Sequence, residues 1–268
     1  MKKFFFTFIL FISFCLLSAE DFFTDFLSIY NSYESLSSAY LYTQKLLEYN
    51  ADGQLVSETP AKSIVFDKYE VSRIEQKKEP LYFLSTPAGY WIKNNKLKQP
   101  MKISGNYKVM DIQMQDILRL DFENDFVIEQ KTDETVFLKR ANKKSTYSFI
   151  KIMQNQNDYI AEIYDNKMQK IKTIKYICSN LNEVKSFTTI QIYDEFIASG
   201  SHYDYITLAQ QKTSVSKMLF NPIYINELIK LLDTIISRKS GQKIQKIANL
   251  QYYKSKANYG TKKKGISR

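Results

Sequence analysis

The chain has 268 residues, of which 44% are hydrophobic and 15% aromatic, and a net charge of +10. From Arg238 to the end there are ten Lys or Arg residues and no Asp or Glu, so residues 1–237 balance at 28 basic against 28 acidic. The basicity belongs to the tail, and the body of the protein has no charge reason to seek nucleic acid or other polyanions.

The first segment reads as a secretion signal. Lys2 and Lys3 precede an apolar run over 4–17, broken only by Thr7 and Ser13, and Leu17-Ser18-Ala19 offers a small residue for cleavage near Ala19. The run is about 14 residues, short of the roughly 20 that a helix needs to cross a bilayer. Lipid attachment at Cys15 is disfavoured by bulky Phe14, which stands where a small residue is required. Export from a bacterial cytoplasm, to the periplasm or beyond, is therefore expected. Cys178 is the single cysteine after the signal, so no internal disulfide is expected and the core alone must hold the fold.

Residues 20–37 carry Phe22, Phe23, Phe26, Leu27, Ile29, Tyr30 and Tyr33 at intervals of three and four, which predicts a helix with an aromatic stripe. The period then changes to two. Asn50-Ala51-Asp52-Gly53 is the sharpest hairpin signal, and further turns fall at 67–68, 93–96, 141–144, 155–158 and 165–167. Strands are predicted at 81–85, 90–93, 135–140, 146–153, 159–164, 171–178, 186–193 and 203–208. Lys172, Ile174 and Tyr176 alternate with Thr173 and Lys175, the mark of an antiparallel strand with one covered face. Residues 110–122 are read as a short helix laid on the sheet, and 223–236, following Pro222, as an amphipathic helix. The whole predicts an α+β fold: one strongly curved antiparallel sheet, with helices covering its concave side. The expected domains are a signal at 1–19, a single domain at 20–237 and a basic, disordered tail at 238–268.

Catalytic chemistry finds little support. One histidine, His202, lies in a turn-like Gly200-Ser201 context, with no serine in a glycine elbow to partner it. One His and one Cys cannot make a zinc site. Asp121, Glu123 and Asp125 have the alternate spacing of a calcium loop, but Phe126 and Thr132 stand where Gly and Glu are required. Ser148-Phe149-Ile150-Lys151 and Ser214-Val215-Ser216-Lys217 match Ser-x-x-Lys without its flanking motifs, and no glycine-rich phosphate loop occurs. No cofactor, no metal and no enzymatic activity are expected. In the tail, Lys262, Lys263 and Lys264 suit an anionic membrane surface, at roughly 1 kcal/mol per basic residue held near it.

The order of elements resembles the LolA-like outer-membrane lipoprotein-sorting proteins, in their stand-alone exported form. The likeness runs over about residues 38–232 and is carried by Gly89-Tyr90-Trp91-Ile92, Lys102-Ile103-Ser104-Gly105, Met114-Gln115-Asp116-Ile117-Leu118, 159–165, 171–176, Thr207-Leu208 and Phe220-Asn221. The resemblance implies an incomplete, highly curved β-barrel capped by helices, whose cavity accepts acyl chains of lipoproteins or other lipids. It implies that residues 110–122 belong to a lid, and that Tyr90, Trp91, Ile103, Ile117 and Phe149 line the cavity, where Trp91 emission would report a ligand. The arginine with which some of these carriers latch the lid has no identifiable counterpart here, and the basic tail is a departure from the family. The function implied is a monomeric, non-enzymatic carrier of lipid or lipoprotein acyl chains. The alternative is an envelope protein that docks on a membrane or a protein partner through its tail.

Overall fold

The structure, a computed structural model, describes residues 21–32, 38–109, 112–117, 120–142, 145–181, 184–196 and 200–237. The expected signal and the basic tail, with Lys262, Lys263 and Lys264, lie outside the described residues.

Helix α1 (Phe22–Tyr30) starts at Asp21, whose carboxylate accepts the Phe23 N–H, and ends at Asn31. Six strands follow as an antiparallel meander: β1 (Ala39–Tyr49), β2 (Leu55–Phe66), β3 (Tyr69–Ile74), β4 (Leu81–Thr86), β5 (Gly89–Lys93) and β6 (Met101–Ile103). A small hairpin of β7 (Lys108–Val109) and β8 (Ile112–Gln113) leads into two single-turn helices, α2 (Met114–Ile117) and α3 (Phe122–Asp125). A second meander comprises β9 (Phe126–Lys131), β10 (Thr135–Arg140), β11 (Phe149–Asn155), β12 (Asp158–Tyr164), β13 (Lys170–Leu181), β14 (Val184–Asp194) and β15 (His202–Thr213). Two 3-10 turns then precede α4 (Ile225–Ser237).

The turns are made by short polar side chains that bond their own backbone. Asn50 Oδ1 accepts the N–H groups of Asp52 at 3.1 Å and Gln54 at 2.9 Å, and Gly53 supplies the positive φ of 74°. Asp165 Oδ1 does the same for Lys167 and Gln169, both at 2.8 Å.

The two meanders join through β1 and β15, giving one 13-stranded antiparallel sheet in the order β6-β5-β4-β3-β2-β1-β15-β14-β13-β12-β11-β10-β9. Its first and last strands in the chain are neighbours, and its two edges come from the middle of the chain. Register shifts leave Leu208 of β15, Glu129 of β9, Ile171 of β13 and Thr188 of β14 as extra one-sided residues that bend the ladder. The result is an open, curved half-barrel. The segment 104–125, which connects the two edges, packs Ile112, Met114, Leu120 and Phe122 into the main core and so crosses the inner face.

That inner core is built from alternate residues of the strands, such as Ile150 and Ile152, Tyr159, Ala161 and Ile163, and Ile174 and Tyr176, together with α1. A second core lies on the opposite face, where Ile225, Leu228, Leu231, Leu232 and Ile235 of α4 meet Ile64, Val71 and Leu84 of β2–β4. Asp233 of α4 accepts the Tyr82 hydroxyl at 2.9 Å and pairs with Arg73 at 3.3 Å. The helices therefore do not all cover the concave side: α4 braces the outer face of the first meander. Its apolar stripe requires a partner, and the odd-numbered face of β3 with the even-numbered face of β4 supplies it. No helix among the described residues is long and apolar enough to cross a membrane.

Candidate functional site

The inner face of the half-barrel is apolar and aromatic, and α1 lies in it. Phe26 has no exposed surface. Its ring sits within 5.3–5.6 Å of the rings of Tyr30, Phe122, Tyr159, Tyr176 and Phe187. Three structural layers meet at that ring: the helix, the segment 104–125 and strands β12–β14. The five buried side chains of α1 are Phe22, Phe23, Phe26, Ile29 and Tyr30. At roughly 1.5–3 kcal/mol each they contribute on the order of 7–15 kcal/mol of burial.

Polar bonds fix the helix at both ends. Asp25 accepts the Tyr159 hydroxyl and the Lys185 ammonium, and Asp21 accepts Lys131. The Leu120 N–H donates to the Tyr30 hydroxyl oxygen at 2.8 Å, tying the crossing segment to α1. Burial pushes the carboxyls of Asp21 and Asp25 upward, but the lysine bonds, with Phe23 N–H at Asp21 and Tyr159 at Asp25, outweigh it and hold both below the usual carboxylate value.

The crossing segment has its own fastening. Asp116 of α2 is completely buried and accepts the Lys172 ammonium of β13 and the Tyr147 hydroxyl. Lys172 also donates to the Tyr147 oxygen at 2.9 Å and lies 3.9 Å from Asp194. Burial pushes the Asp116 carboxyl up against the pull of Lys172, and burial beside Asp116 pushes the Tyr147 hydroxyl up. Next to it, the Gln115 side chain bonds Gln113 and Thr146, while the Gln115 N–H donates to the Gly105 carbonyl at 3.0 Å. The crossing segment is thus held to β13 by an internal ion pair. Its lysine stands on the covered face of β13 with Ile174 and Tyr176, an alternation already visible in the sequence although no latch was legible there.

Two adjoining hollows open among the described residues of this face. The larger, open to solvent, is lined by Tyr30, Tyr42, Gln44, Glu70, Asp116 and Tyr205 among others, and its cavity volume is about 50 Å³. A dry cavity of roughly 150 Å³ is what a benzene ring occupies. The hollow expected from the aromatic content is thus mostly filled, because α1 inserts its stripe into it. The smaller hollow lies between the β2–β3 and β4–β5 turns and the crossing segment, and shares Val65 and Glu70 with the first. A hydroxyl network floors the junction. Ser72 donates to Glu70 at 2.6 Å, Ser63 lies 2.9 Å from Ser72, and Ser63 and Tyr205 both donate to Gln44 Oε1 at 2.8 Å.

The residues expected to line the cavity divide between the two faces. Tyr90 is buried in the inner core, and Ile103 packs against it. Burial, with Asp125, Asp121 and Glu70 nearby, pushes the Tyr90 hydroxyl up to about 12. Trp91, the next residue on β5, points the other way and joins the α4 core, with Lys102 over its ring at 5.5 Å. Phe149 stacks on Phe137 at 5.7 Å, on the face opposite the buried Ile150 and Ile152. The side chain of Ile117 lies outside the described residues. Tyr90 and Ile103 therefore share the inner face, and Trp91 and Phe149 do not. The chief occupant, α1, gave a clear aromatic stripe in the sequence. Glu70 and Gln44 gave no signal, because nothing in either strand marks which of its polar residues faces inward.

No family model matches the sequence, and no curated protein matches it. Solved structures match the fold. A LolA superfamily protein from Nitrosomonas europaea is 18% identical, with a TM-score of 0.60 over 75% of this chain and 97% of its own. An outer membrane lipoprotein-sorting protein domain assigned in Vibrio parahaemolyticus is 14% identical, with a TM-score of 0.56 over 77% and 97%. A DUF1329 family protein from Desulfovibrio piger is 16% identical, with a TM-score of 0.51 over 69% and 90%. At these identities the likeness concerns architecture, and it extends over nearly the full length of the first two neighbours. The chain carries the LolA-like fold, an open curved antiparallel sheet with α1 and the crossing segment over its inner face.

Proposed function

We propose that this protein is an exported, non-enzymatic carrier or binding protein for lipids or lipoprotein acyl chains in a bacterial cell envelope. The observation that carries the reading is the curved sheet whose inner face is largely apolar and aromatic and is covered by α1 and the crossing segment, with a hollow left beside them. The structural neighbours, among them a lipoprotein-sorting domain, support it at the level of fold. An acyl chain entering this interior would gain about 0.8 kcal/mol per buried methylene without any covalent step. The Asp116–Lys172 pair would hold the lid shut in the empty protein. Cleavage near Ala19, a periplasmic location and a monomeric state are part of the same proposal.

Native mass spectrometry of the purified protein, followed by organic extraction, tests it. Bound lipid, or saturable binding of a fluorescent fatty acid, is the expected result. A protein that is empty in every preparation and binds neither the fatty acid nor a long-chain alcohol or amine overturns the reading.

A further inference from the structure

We propose that Glu70 is the seat for the head group of the bound lipid, and that this head group carries a primary ammonium. The inference rests on the carrier reading and adds the ligand's polar chemistry to it.

Glu70 stands on β3, pointing to the inner face, and is 8% exposed. It lines both hollows at their junction, where the interior turns from aromatic to polar. One carboxylate oxygen takes the Ser72 hydroxyl at 2.6 Å. No Lys, Arg or His among the described residues pairs with this carboxylate; its neighbours Ser63, Ser72, Gln44 and Tyr205 are uncharged. The contrast with Asp116 is direct. That carboxylate is also buried and has its own lysine. A buried carboxylate without a counter-charge is unfavourable, and a ligand that brings the missing charge removes the penalty.

The surroundings point the same way. The smaller hollow is lined by three carboxylates, Asp67, Glu70 and Asp121, against the one ammonium of Lys68, and Asp67 is engaged by Lys217 at 2.7 Å. The Tyr90 hydroxyl beside them is pushed up by burial, with Asp125, Asp121 and Glu70 nearby. Such a mouth disfavours a fatty-acid carboxylate or a bare phosphate. It favours an N–H-rich cation, which can bond Glu70 directly and leave its alkyl chain toward Tyr30, Tyr176 and Phe187 of the larger hollow.

The experiment compares three probes of equal length, dodecylamine, dodecanol and dodecanoate, by calorimetric titration at pH 7 into the wild-type protein and Glu70→Gln. The wild type is expected to bind the amine at least tenfold more tightly than the alcohol. In Glu70→Gln that preference disappears while dodecanol affinity stays within about twofold, which also shows that the variant is folded. Ser72→Ala, which removes the hydroxyl that orients the carboxylate, reduces the preference without touching dodecanol. Dodecanol binding with no amine preference, or a preference that survives Glu70→Gln, overturns the head-group assignment alone. If none of the three probes binds, the head-group assignment falls, and if organic extraction of the purified protein also yields no lipid, the carrier reading falls with it.

Discussion

Replacing Lys172 by methionine tests whether the crossing segment is truly latched by charge. The substitution keeps the stem length but removes the ammonium, leaving Asp116 with no side-chain exposure, the Tyr147 hydroxyl as its remaining side-chain donor among the described residues, and Asp194 without its 3.9 Å partner. Breaking a buried pair on one side destabilises by about 3–5 kcal/mol. Replacing both partners by apolar groups, as in Asp116→Leu with Lys172→Met, is expected to be neutral or stabilising by up to about 4 kcal/mol. The sign with pH follows from the orphaned acid. Burial already raises the Asp116 carboxyl, so without Lys172 its folded value rises further. Stability from that group is then fully present below the unfolded carboxylate range and is lost as pH rises through the folded value. Urea unfolding followed by circular dichroism should therefore show a smaller deficit for Lys172→Met at pH 4.5 than at pH 8. If the lid opens before the sheet unfolds, the loss appears instead as faster amide exchange over 112–117 with an unchanged midpoint. A single variant that loses under about 1 kcal/mol with normal exchange would refute the latch. So would a double variant as unstable as the sum of its parts.

Three other outcomes are expected. Phe26→Ala should destabilise the protein by about 3–5 kcal/mol in urea melts and raise its affinity for a fluorescent fatty acid, since the void lies where the ligand would go. Trp91 emission should stay constant when that fatty acid binds, because Trp91 belongs to the α4 core; a ligand-dependent shift would mean that the outer face is also engaged. Acid should loosen α1 first. The folded carboxyls of Asp21 and Asp25 are depressed, so their contribution is present above the unfolded value near 3.8 and is lost as pH falls through the folded values. Amide exchange of α1 should accelerate there, and less steeply with pH in Asp25→Asn.

The hairpins were legible because each turn is written in local chemistry. Asn50, Asp52 and Gly53, Asp67 at a φ of 53°, and Asp165 with its two backbone bonds all act within four residues. Strand β10 matches its expected bounds for the same reason, being framed by turns on both sides. The single helix expected over 110–122 gives way to a hairpin strand at Ile112–Gln113 and single-turn helices at Met114–Ile117 and Phe122–Asp125, because apolar spacing of this kind fits a helix and a meandering chain about equally. Ile112, Met114, Leu120 and Phe122 each reach the inner core, and the bonds of Met114 and Gln115 to the carbonyls of Tyr107 and Gly105 pin the start of the segment in a hairpin. The first helix ends at Asn31, short of the expected 37, where the Asn31 N–H returns to Leu27. In β2, Pro60 argues against a central strand, but the pairing with β3 begins only at Ala61. Facing could not be read from residue type alone. Tyr90 and Trp91 are equally apolar neighbours, and strand geometry sends them to opposite cores.

The same geometry sets a threshold for what can be carried. A twelve-carbon chain gains roughly 9 kcal/mol on full burial, within the range of the 7–15 kcal/mol that α1 contributes by its own burial. One such chain cannot expel the helix cleanly, and its binding would depend on partial displacement around Phe26 and Tyr30. Two chains on one head group gain about twice as much and outcompete the helix outright. Single-chain and two-chain lipids should therefore differ by much more than their hydrophobicity alone implies, and Phe26→Ala should narrow that difference by helping the single chain more. If titrations show affinity growing smoothly with total methylene count, and Phe26→Ala shifts every lipid equally, then α1 does not compete with the ligand and the interior must open at another place.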